Sequence, residues 1–77
     1  MRELLYYMVS NLVNNKEALK IEEVKQKGTF ILTILADADD YGRIIGKNGR
    51  VITSIRTLMR VYAINNNIRL LVKVGDK

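Results

Sequence analysis

The chain has 77 residues, 48% of them hydrophobic and 27% charged, with no cysteine, histidine or proline. That length holds one small hydrophobic core, and the missing Cys and His exclude disulfides, thiolate or imidazole metal sites and most neutral-pH acid–base chemistry. Thirteen Lys and Arg against eight Asp and Glu leave a net +5, which on so small a body favours a polyanionic partner.

The first predicted element runs from Arg2 to about Asn14, where Leu5, Met8, Val9 and Leu12 form one helical apolar stripe. Asn14-Asn15 supplies the stop. From Leu19 to Lys27 the alternation of Leu19 and Ile21 with Lys20 and Glu22 predicts an edge strand. Val24 falls out of phase there, which predicts a bulge near Glu23-Val24. Lys27-Gly28 reads as a hairpin turn. Thr29 to Ala36 reads as a strand with Phe30, Leu32, Ile34 and Ala36 on its core face. Its other face carries Ile31 and Leu35, an unusual pair to set against water.

Asp37, Asp39 and Asp40 predict the cap of a short helix of about two turns ending at Gly46. Three acids without a coordinating loop pattern do not make a calcium site. Val51, Ile52, Ile55, Leu58, Met59, Tyr62 and Ala63 then define a long amphipathic helix stopped by Asn65-Asn66-Asn67. Tyr6 and Tyr7 read as edges of the core, and Tyr62 as core with its hydroxyl at the rim. Ile68 to Val74 alternates as a third strand, with Leu71 joining Ile31 and Leu35 on the water side. The order helix, strand, strand, short helix, long helix, strand predicts an α+β two-layer domain over residues 1–77, with the helices on one face of a three-stranded sheet. No window approaches the roughly 20 apolar residues of a membrane span, and the start lacks a secretory signal. The expectation is a cytoplasmic protein without membrane insertion.

Gly46-Lys47-Asn48-Gly49 is the most informative stretch. Glycine admits positive φ and close approach of another backbone, and the long helix starts directly after it. Its free N–H groups and positive dipole end therefore face the loop, as phosphate-binding helix starts do. Charge agrees: residues 47 to 60 contain Lys47, Arg50, Arg56 and Arg60 and no acid, four of the net five positive charges. On the helix, Arg56 and Arg60 lie about 40° apart and Arg50 on another flank.

The string from Arg43 to Ile52, with Ile44-Ile45 before the first glycine and Ile52 three beyond the second, resembles the signature of the KH domain. That module clamps the backbone of about four single-stranded nucleotides in its Gly-x-x-Gly loop. The element order resembles the type II version of the fold. Length, the Asp40-Tyr41-Gly42-Arg43 approach and Ile55-Arg56-Thr57-Leu58 are similar to the KhpA-like family of small bacterial single-KH RNA-binding proteins.

The resemblance implies that Gly46, Lys47, Asn48 and Gly49 contact the sugar–phosphate backbone, with Arg50 near the phosphates. It implies that Ile45 and Ile52 support the loop and line an apolar base groove opposite the strand Phe30 to Ala36. Arg43, Tyr41 and Arg56 are further candidates. It also implies no catalysis, cofactor or metal, and a partner list of single-stranded RNA plus a second KH module. That module would be a copy of the chain in a homodimer, or a larger KH-containing protein in a heterodimer. An RNA-chaperone or post-transcriptional role linked to cell-wall synthesis and cell shape follows from the same resemblance. The competing expectation is an adaptor that uses the fold for protein contacts.

Overall fold

A computed structural model describes residues 1–75. Helix α1 spans Arg2–Ser10 and buries Leu5 and Val9, the core side of the stripe read from the sequence. It ends four residues earlier than the apolar spacing alone predicts. The Ser10 hydroxyl and the Asn11 amide both donate to the Tyr7 carbonyl, each at 2.9 Å. Such local bonds compete with the helical ladder, and the chain turns so that Val13 enters the core from a loop. Of the two tyrosines expected at the core edge, Tyr7 is instead 68% exposed.

Strands β1 (Lys20–Gln26) and β2 (Thr29–Leu35) pair antiparallel, and β3 (Arg69–Val74) pairs parallel to β2, giving the order β1-β2-β3. Positive φ at Lys27 and Gly28, 52° and 82°, makes the two-residue hairpin turn. The predicted bulge is absent, since β1 and β2 stay in register from Lys20↔Leu35 to Gln26↔Thr29. Ile21 faces the helices, and on the same face Glu23 and Lys25 meet solvent because the hairpin extends past the helical layer. Alternation fails there for want of cover. Lys25 instead lies over the ring of its cross-strand partner Phe30, 5.1 Å from the centroid.

On the inner face Leu32, Ile34 and Val72 are buried with Leu5, Val9, Ile44, Ile52, Ile55 and Met59. The outer face carries one registered apolar row, Val24–Ile31–Leu71, across all three strands. Helices therefore cover one side only, the α+β two-layer arrangement expected of a type II KH fold. Helix α2 (Tyr41–Ile45) follows a 3-10 turn over Ala38–Asp40, and α3 (Arg50–Asn65) follows another over Lys47–Gly49. No helix among the described residues is long and apolar enough to cross a membrane.

Candidate nucleic-acid interface

The capping acids divide their work. Asp37 accepts the Asp39 N–H at 2.9 Å and caps the turn before α2. Asp40, 1% exposed, reaches across the fold and accepts the backbone N–H groups of Asn14 and Asn15 at 3.1 and 3.0 Å. Arg43 Nη1 adds an ion pair at 3.1 Å and also donates to the Asp39 carbonyl at 3.2 Å. The two backbone donors, more than Arg43, hold the Asp40 carboxyl below its ordinary value of 3.8. One carboxylate thus ties the end of the α1 loop to the start of α2. Tyr41 adds a second tie, its hydroxyl accepting the Ala36 N–H at 3.0 Å beside the core.

Helix α2 delivers the chain into the glycine loop. Gly46 has φ 77° and ψ 171°, a region open essentially to glycine alone. A Cβ there would strike the Val51 side chain, meeting its Cβ at 2.7 Å and the Val51 N at 2.9 Å. The absence of a side chain lets the first turn of α3 close over the loop. Asn48 (φ 58°, ψ 24°) and Gly49 (φ 74°, ψ 16°) take left-handed conformations that turn the chain into α3. Lys47, Asn48 and Arg50 are exposed. The result is a cationic loop at the positive end of a 16-residue helix.

The two isoleucines part company. Ile45 is 39% exposed at the mouth of the loop, whereas Ile52 is 6% exposed and packed in the core. Ile52 therefore anchors α3 and presents little surface to a ligand. The expected groove wall also moves. Leu32 and Ile34 of β2 are fully buried in the centre of the sheet, so they line no groove. The apolar groove lies between α3 and the edge strand β3, a cavity of about 330 Å³ walled by Met59, Ala63, Ile68 and Leu70 among others.

Arg56 stands at that groove, its Nε donating to the Val72 carbonyl on the open edge of β3 at 3.1 Å. Arg60 and Arg69 line it as well; the first belongs to the cationic run read from the sequence and the second was not singled out there. At 100° per residue Gly49, Thr53, Arg56 and Arg60 fall within about 60° of one another. One stripe of α3 thus leads from the glycine loop into the groove. Arg50 lies about 80° beyond Arg60, nearer the loop than the groove.

The family model for the KhpA/KhpB KH domain matches residues 2–74. The chain is 40% identical over 77 residues to a Chlamydia pneumoniae protein named RNA-binding protein KhpA, covering 100% of this chain and 99% of that one. A protein of the same name from Clostridium perfringens is 32% identical over 74 residues, 96% of this chain and 99% of that one. Its Borreliella burgdorferi namesake is 31% identical over 74 residues, with 96% and 90% covered. No solved structure matches the chain.

Proposed function

The chain belongs to the KhpA/KhpB KH-domain family, and we propose that it binds single-stranded RNA, without catalysis, through the loop Gly46–Gly49 and the α3–β3 groove. Ile45, Gly46, Lys47, Asn48, Gly49 and Arg50 meet the sugar–phosphate backbone. Arg56, beside the β3 edge, meets bases in the groove. Ile52, Tyr41 and Arg43 serve the same site from behind, by fixing α3 and α2. The observation that carries this reading is the loop itself. It combines a glycine with no room for a Cβ, two exposed polar side chains and a long helix start with no acid in residues 47–60.

Four nucleotides of contact give one module a short footprint, so useful affinity calls for a second module at high effective concentration. Leu58, Val61 and Ile64 on α3 are 57%, 51% and 66% exposed. These large apolar side chains on successive turns supply a surface for a homodimer or for a larger KH-containing partner. A post-transcriptional or RNA-chaperone role in the cytoplasm fits a non-catalytic binder of this kind. The link to cell-wall synthesis and shape rests on family resemblance.

The same ridge favours a second reading, an adaptor in which protein contact is primary and RNA binding secondary. One variant separates the two. Lys47→Asp with Asn48→Asp lowers the net charge from +5 to +2 by removing one cation and adding two acids. Fluorescence anisotropy with a labelled single-stranded RNA should show affinity lost while the circular dichroism spectrum is kept. Unchanged affinity would count against the loop as the RNA site and favour the adaptor reading.

A further inference from the structure

The α3–β3 groove continues past Arg56, and its far end is basic in a way that the glycine loop does not require. Arg60 and Arg69 line it, one from α3 and one from the start of β3, with no acidic residue in the lining. Both are exposed, and among the described residues neither forms an ion pair. Guanidinium groups gathered at one site repel unless an anion lies between them. Arginine is also the side chain best shaped to grip a phosphate through two parallel N–H donors.

Arg60 is eleven residues along from Gly49, about 16 Å at the helical rise of 1.5 Å. A stacked strand needs about five steps of 3.4 Å to cover that distance, and a stretched strand needs fewer. Arg56, seven residues along or about 10 Å, lies near the end of the four stacked nucleotides that the loop accounts for. Beyond Arg56, whose Nε donates to the Val72 carbonyl, the cations among the described residues that line the groove are Arg60 and Arg69.

We infer that Arg60 and Arg69 form a second phosphate clamp, at the opposite end of the groove from the glycine loop, that holds the continuation of the same RNA strand. This rests on the RNA-binding reading above and extends it from one grip to two. The strand is held at the glycine loop and at the far end of the groove, with its bases over the apolar floor between. Binding then depends on length up to the span between the clamps.

The test is a length series of labelled single-stranded RNAs from two to eight nucleotides, measured by anisotropy at several salt concentrations. It compares wild type, Arg60→Gln with Arg69→Gln, and Lys47→Asp with Asn48→Asp. The arginine pair is at the surface, so its melting temperature should match wild type. Wild-type affinity should rise with length and then level off. The arginine variant should bind the shortest oligonucleotides like wild type and lose the last rise. Each phosphate contact contributes about 0.7 to the salt slope, so losing two lowers the slope for the eight-nucleotide strand by about 1.4. Between 50 and 200 mM salt, wild type then loses about sevenfold more affinity for that strand than the variant does. A variant that keeps the full length dependence, or the full salt slope, overturns the second clamp. If wild type binds no strand of any length, the RNA reading itself fails and the clamp with it. Binding that survives Lys47→Asp with Asn48→Asp but not the arginine pair removes the two-ended grip.

Discussion

Replacing Gly46 by alanine should damage this protein far more than replacing Gly49, although both glycines close the same loop. At Gly49 (φ 74°) a Cβ has nothing within 4 Å. Its cost is the left-handed conformation alone, about 1–2 kcal/mol, offset by about 0.4–1 kcal/mol from a stiffer unfolded chain. At Gly46 the φ of 77° with ψ 171° lies where side chains are scarcely tolerated, costing about 1–3 kcal/mol. The added carbon also meets Val51 Cβ at 2.7 Å and Val51 N at 2.9 Å. Relief requires the first turn of α3 to move, a disturbance of about 1–3 kcal/mol by analogy with overpacked cores. At about 6 °C per kcal/mol, the middle of the range for a domain this size, and with the same offset at both sites, mid-range costs lower Tm by roughly 20 °C for Gly46→Ala and by roughly 5 °C for Gly49→Ala.

Thermal unfolding followed by circular dichroism reads both values, and RNA affinity at 10 °C separates loop displacement from unfolding. Combining Gly46→Ala with Val51→Ala should not restore Tm. It removes the Val51 methyls but leaves the Val51 Cβ and N in the way. Equal melting losses at the two glycines, or rescue by Val51→Ala, would refute the argument that backbone approach is what requires Gly46.

Asp40→Asn removes a charged acceptor of two backbone N–H groups and an arginine. The folded carboxyl titrates below 3.8, so its stabilisation is complete above that value and lost as pH falls through the folded pKa. The Tm difference from wild type should therefore be full at pH 7 and shrink below about pH 4. A gap that stays constant to pH 2 would contradict this. Leu32→Ala empties a fully buried site and should cost about 2–5 kcal/mol in chemical denaturation. Leu58→Asp with Val61→Asp should leave Tm within a few degrees, because both side chains are exposed, and should convert a dimer to monomer in sedimentation equilibrium. A wild type that is monomeric at 100 μM would count against the ridge as an interface.

Element order, hairpin turn and loop were readable from the sequence because each depends on near neighbours. Lys27-Gly28 demands positive φ, the spacing from Ile52 to Ala63 demands a helix, and the loop motif is contiguous. What failed depended on distant cover. Val24 looked like a slipped register because Ile21 marks the helix-facing side, whereas Val24 belongs to the apolar row on the opposite face with Ile31 and Leu71. Tyr7 looked like core edge, yet the fold leaves it exposed.

The groove wall was misplaced for a topological cause. Phe30 to Ala36 was assigned to the groove by the family resemblance, yet it is apolar on both faces. A strand apolar on both faces marks the buried middle of a sheet. In a sheet ordered β1-β2-β3 that strand is the central one, its inner face closed by α1, α2 and α3. A ligand needs an edge, and the parallel pairing of β3 leaves its outer edge beside α3, where Arg56 already bonds the Val72 carbonyl. Asp40 illustrates the same limit. Its i,i+3 spacing to Arg43 was visible, but its acceptance of Asn14 and Asn15 N–H groups joins residues 25 and 26 positions apart. Local signals therefore located the chemistry of the loop, while the surfaces that complete the site arise where the two ends of the chain are brought against α2 and α3.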